Sequence, residues 1–151
     1  MLARLLNSSQ ALGFRLKSMR YTKKILWITA GKSRLVIIEV KGLNNNLTRQ
    51  DIAKLDEHRE AREVPNLTGL LIANTFMTAD SLSNKDVPFP PNVIEKAVNT
   101  NLLITRTIDL CRILDYLELT ESNPSSALTK IILGKKGWLT FQDGKIRLLD
   151  S

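Results

Sequence analysis

Val36-Ile37-Ile38-Glu39-Val40-Lys41-Gly42 is the stretch on which the fold of this 151-residue chain turns. Side chains alternate along a β-strand, so Leu35, Ile37, Glu39 and Lys41 share one side while Val36, Ile38 and Val40 share the other. An apolar run therefore ends in an acid and a base on one face, about 6 to 7 Å apart. Two charges at the end of a buried strand cost free energy unless each meets a partner. Two explanations stand open: a solvated cross-pair of the kind that ends many amphipathic strands, or a site.

Working outward, Lys24-Ile25-Leu26-Trp27-Ile28-Thr29 is a β-prone run closed by the hairpin-like turn Ala30-Gly31-Lys32-Ser33, with residues 34–41 as the return strand. Upstream, Leu5, Leu6 and Leu12 mark a helix over residues 3–12 that Gly13 stops, and residues 14–19 alternate as a first strand. Downstream, Thr48 with Asp51 reads as a helix N-cap followed by an acid in the first turn. The polar helix so begun runs to about Arg62. Residues 67–73 are apolar on both parities apart from Thr68 and Gly69, as expected of a central strand covered on both faces.

A connection over residues 74–92, holding Pro88, Pro90 and Pro91, is long enough to expect function or mobility. A helix at 93–98 and a strand at 102–106 follow. Thr107 is expected to cap a helix carrying Ile108, Leu110, Cys111, Ile113, Leu114 and Leu117. A short helix at 127–133 precedes a terminal hairpin, 137–141 and 145–149, around Asp143-Gly144. An early meander followed by alternating helices and strands predicts one α/β domain over residues 1–151, an α/β/α sandwich on a mixed sheet.

Composition narrows the function classes. With 43% hydrophobic and 25% charged residues the chain is ordinary globular material. No apolar run reaches the roughly 18 to 20 residues that span a bilayer. One cysteine, Cys111, excludes a disulfide-built scaffold and fits a reducing, cytoplasmic setting; its apolar helical context favours a small buried side chain over a nucleophile. The net charge of +7 is unevenly spread. Arg4, Arg15, Lys17, Arg20, Lys23, Lys24, Lys32 and Arg34 precede the first acid, Glu39, whereas the remaining 14 of 22 basic residues face all 15 acids. Such a basic start attracts a polyanion such as DNA. An acid-free N-terminus also fits a mitochondrial leader as the lesser alternative.

The order of these segments resembles the restriction-endonuclease-like domains of the PD-(D/E)xK superfamily, of the prokaryotic Mrr-like or type IV-like kind. Glu39-Val40-Lys41 looks like the superfamily's central motif, Thr68-Gly69-Leu70-Leu71-Ile72-Ala73-Asn74 like its next core strand, and Leu102-Leu103-Ile104-Thr105 with Asp109-Leu110 like the strand and helix after that. Leu12-Gly13-Phe14 and Leu26-Trp27-Ile28 resemble the segments before the motif. The likeness covers about residues 3–118, leaving the helix and hairpin of residues 125–149 as a C-terminal addition. It implies a restriction-endonuclease-like fold and Mg²⁺- or Mn²⁺-dependent hydrolysis of DNA. Glu39 and Lys41 would be the catalytic residues: Glu39 would bind the metal, Val40 would add its carbonyl to it, and Lys41 would position water and offset developing charge. It also implies DNA as partner and allows a homodimer.

One part of the pattern is missing. The superfamily carries a second metal carboxylate upstream of the motif, and residues 1–38 contain no acid. In the matching stretch, Lys23-Lys24-Ile25-Leu26-Trp27-Ile28, basic and apolar residues stand in its place. Three outcomes follow: the carboxylate has migrated to Asp56, Glu57 or Glu60 on the next helix; Met1 is not the natural beginning; or the fold persists without catalysis as a DNA-binding or assembly module. Asp56, Glu57 and Glu60 are otherwise expected on a solvated helix face with Lys54, Arg59 and Arg62. His58 is expected to be solvated too, Trp27 and Trp138 to anchor a core or interface, and Gly134-Lys135-Lys136-Gly137 to be a basic turn.

Overall fold

A computed structural model describes residues 25–64 and 66–151. The helix expected at 3–12, the strand expected at 14–19 and most of the basic N-terminal segment lie outside the described residues. Strand β1, Ile25–Ala30, turns through Gly31 (φ 59°) into β2, Ser33–Gly42, which pairs with it antiparallel. Then follow α1 (Arg49–Glu60), β3 (Thr68–Asn74), α2 (Leu82–Lys85), α3 (Pro91–Asn99), β4 (Leu102–Arg106), α4 (Thr107–Thr120), α5 (Pro124–Ile132), β5 (Gly137–Gln142) and β6 (Lys145–Leu149). The six strands form one mixed sheet in chain order. Strands β2 to β5 run parallel to one another, and β6 returns antiparallel to β5.

Strand parity builds two cores. Val36 and Ile38 of β2, with Leu70, Ile72 and Leu103, join Leu110, Ile113, Leu114 and Leu117 of α4 and Leu128 and Ile132 of α5. Leu71, Ala73, Leu102 and Ile104 meet Ile52 and Leu55 of α1 and Val93, Ile94 and Ala97 of α3 on the other face. Helices thus cover both faces, compatible with a three-layer α/β/α fold. Every residue of β3 from Thr68 to Ala73 is buried, as a strand apolar on both parities must be. Asp143 (φ 51°) and Gly144 (φ 71°) both take left-handed conformations, the requirement of a two-residue hairpin turn that Asp-Gly meets.

Thr48 is the N-cap of α1, with a complete capping box: Asp51 N donates to Thr48 Oγ1, and Thr48 N donates to Asp51 Oδ2 at 3.0 Å. Thr107, by contrast, caps nothing. Strand β4 passes directly into α4, so Arg106 occupies the cap position and Thr107 is already helical. The connection over residues 75–90 is not loose. It contains α2, sends Phe89 into the second core against Trp138 (ring centroids 5.2 Å apart), and is held by Asn46 Nδ2 donating to the Pro88 carbonyl at 2.9 Å. Among the described residues no helix is long and apolar enough to cross a membrane.

Candidate functional site

Helix α1 packs on β3 and α3 and reaches β2 through its side chains. Ile52 and Leu55 are fully buried, which fixes the rotation of the helix. Asp51, Leu55, His58 and Arg62 succeed one another at helical spacings of four, three and four residues, so they share a face. At the Lys41 end stands Asp51, and one strand pair further back stands His58 over Glu39. Lys41 Nζ lies 3.2 Å from Asp51 Oδ1 and 3.6 Å from Glu39 Oε1, an ammonium between two carboxylates. His58 Nδ1 lies 3.1 Å from Glu39 Oε2. Glu39 is 1% exposed. Its Oε1 is the buried side-chain polar atom that, among the described residues, has no hydrogen-bond partner.

Burial alone would push the Asp51 carboxyl up; hydrogen bonds from Thr48 and from Lys41, with the Lys41 charge, outweigh it and hold the group below the ordinary carboxylate range. Val40 turns its side chain to the opposite face, against the first core, and lies opposite Ile72 in the β2–β3 ladder. Ile25 stands directly across β1 from Glu39, so an apolar residue occupies the nearest cross-strand position. Asp56 pairs with Arg59, and Glu57 and Glu60 are exposed. The helix does bring a carboxylate to the motif, but it is Asp51 rather than any of those three.

His58 is a correction to the sequence reading, which expects it solvated. Its side chain is one-third exposed and faces a buried carboxylate. The legible signal is its place three residues after Leu55 on the buried face.

A magnesium ion takes a near-octahedral shell of about six oxygens. Here Asp51 Oδ2 is engaged by Thr48 N and Oγ1, and its Oδ1 by Lys41, which leaves Glu39 Oε1 as the one spare carboxylate oxygen of the cluster. Among the described residues no group of three or more His, Cys, Asp and Glu could hold a metal ion. In this arrangement a lysine ammonium takes the place between the carboxylates, and Glu39 Oε1 is the oxygen they leave free.

A second charged cluster lies at the end of β4. Arg106, 3% exposed, grips the fully buried Asp109 through Nε (2.7 Å to Oδ2) and Nη2 (2.8 Å to Oδ1). Trp138 Nε1 and Thr140 Oγ1 donate to the same carboxylate at 3.0 and 2.9 Å. Arg106 Nη1 reaches out to Asp86 Oδ1 and the Val87 carbonyl, and Arg112 takes the other Asp86 oxygen, so the 75–90 connection is tied to the sheet. Nearby, Cys111 lines a cleft of about 280 Å³ with Leu82, Arg106 and Thr107. Half-buried, the thiol is pushed up by burial and then by Asp115, away from the reactive thiolate.

The geometry defines an α/β domain with a half-satisfied ion cluster at the end of β2. No family model, curated protein or solved structure matches the chain.

Proposed function

We propose that this chain is a restriction-endonuclease-like domain of the PD-(D/E)xK kind that binds DNA without cutting it, its Glu39-Val40-Lys41 motif kept as an ion-pair cluster. The observation that carries the reading is the Lys41 ammonium seated between Glu39 and Asp51, with Ile25 rather than an acid across from Glu39. A carboxylate pair already neutralised by a tethered cation has little to offer a free one. The basic excess before Glu39 supplies the attraction for phosphate.

One observation favours the catalytic reading, metal-dependent phosphodiester hydrolysis: Glu39 Oε1, buried and without a hydrogen-bond donor, is the kind of acceptor that a cation satisfies. The two readings separate in one experiment. The purified chain is mixed with labelled duplex DNA in chelator, and then with Mg²⁺ or Mn²⁺. Salt-sensitive binding that persists in chelator, with the DNA left intact when metal is added, is the expected result. Cleavage that requires metal and disappears in Glu39→Ala overturns it in favour of the nuclease.

A further inference from the structure

The row of polar side chains begun on α1 continues past the end of the helix. Beyond His58, Arg62 carries its guanidinium to 5.6 Å from the centroid of the Trp27 ring, and Arg34 of β2 brings another to 4.7 Å. Trp27 lies opposite Ile37 in the β1–β2 ladder, two residues along from the Ile25–Glu39 pair and on the same face. The aromatic-basic group thus lies on the same sheet face as the Glu39 cluster, two residues along the strands from it. Lys32, in the turn between those strands, is exposed and adds a further positive charge at this end of the sheet.

One property sets these guanidiniums apart from Arg59, Arg106 and Arg112, although Arg106 too lies over an indole, that of Trp138. Arg59, Arg106 and Arg112 are each committed to a carboxylate. Arg34 and Arg62 have neither an ion pair nor a side-chain hydrogen bond among the described residues, although Arg34 is exposed and Arg62 half-buried. The acids closest in sequence to Arg62, Glu60 and Glu63, line with Arg59, Lys135 and Lys136 a cleft that Arg62 does not line. Stacking on an indole also does something that pairing with an acid does not: it orients the planar fork while leaving its charge and its N–H edge uncompensated. A pre-oriented guanidinium loses less side-chain entropy when it meets an anionic group, and phosphate oxygens match its bidentate geometry.

We infer that Trp27, Arg34 and Arg62 form a phosphate clamp for the backbone of duplex DNA. The inference rests on the DNA-binding reading and gives it a location. Duplex rather than single-stranded nucleic acid is the partner because the ring surface on which an unstacked base would lie is taken by the guanidiniums. What the group offers is N–H edges, which bind phosphate and read no sequence.

The test uses the full chain, with a duplex of about 20 base pairs and a single strand of equal length, at several salt concentrations. Trp138 is 3% exposed, so a change of tryptophan fluorescence on adding DNA reports chiefly on Trp27. For the parent chain, duplex binding should perturb that emission. Arg34→Ala with Arg62→Ala should weaken duplex binding about 10-fold or more at low salt and reduce the salt slope by about 2, close to one unit for each phosphate no longer neutralised. Arg34→Lys with Arg62→Lys keeps the charge but gives up the stacked fork, and should fall between. Circular dichroism of each variant, matching the parent, shows that the fold is intact. Should the alanine variant bind duplex with the parent's affinity and salt slope, the clamp is wrong while the DNA-binding reading survives. A chain that binds no DNA at all overturns both, and preference for the single strand overturns the assignment to duplex.

Discussion

The two charged clusters sit at equivalent places, the carboxyl ends of the parallel strands β2 and β4, and differ in how completely they are satisfied. Both oxygens of Asp109 are engaged, by Arg106, Trp138 and Thr140. Glu39, as deeply buried, gives one oxygen to His58 and holds the other 3.6 Å from Lys41 without a hydrogen bond. A fully connected buried network specifies a fold, because any alternative packing strands several donors at once. A half-connected one is where local rules are broken, and such places in a natural chain are characteristically tied to function. The same two charge types on the same sheet are therefore satisfied to different degrees.

The largest contrast is expected in stability. Asp109→Ala leaves the Arg106 guanidinium, the Trp138 N–H and the Thr140 hydroxyl without their acceptor, and should cost about 3 to 5 kcal/mol in denaturant unfolding. A shift of the midpoint too small to register would show that the β4 cluster is not the anchor its geometry implies. Replacing each carboxylate by an apolar residue of similar size sharpens the comparison. Asp109→Leu should remain severely destabilising, whereas Glu39→Leu should stay within about 1 kcal/mol of the parent or exceed it, because Lys41 keeps Asp51 and His58, one-third exposed, can exchange the lost carboxylate for water. Equal losses at the two positions would erase the distinction.

The smallest effect is pH-dependent. The folded-state value of Asp51 is depressed, so its charge contributes stability above the ordinary carboxylate range near 3.9, and that contribution fades as pH falls through the lower folded value. Asp51→Asn should accordingly be less stable than the parent at neutral pH by about 1 kcal/mol or less, with the gap narrowing below about pH 3.9. A gap that widens on acidification would mean that Lys41 and Thr48 do not stabilise the ionised form.

Much of this architecture is legible in the sequence because its elements are locally determined. The alternation of Val36 to Lys41, the double-parity apolar run of β3, the Thr48–Asp51 cap and the Asp143-Gly144 turn each need only a few neighbouring residues to be understood. The failures involve tertiary placement. Asp51 is readable as a capping acid, but its second role on Lys41 depends on how α1 is rotated over the sheet, which Ile52 and Leu55 decide by burial. His58 reads as solvated because its neighbours are charged, and only the buried face of the helix turns it towards Glu39. Thr107 reads as a cap because threonine often is one, but no residue separates β4 from α4 for it to cap from. Trp27 lies on an apolar strand and reads as an anchor for a core or interface; its guanidinium partners come from β2 and the end of α1, a proximity that sequence distance hides.

Strand β6 is short, five residues, and pairs with β5 alone among the described residues. Its backbone edge would offer the next molecule a template for adding a strand. Lys145 and Arg147 stand exposed along it, and like charges brought face to face by such an addition repel. Among the described residues no strand pairs with that edge, and its exposed basic side chains disfavour edge-to-edge addition.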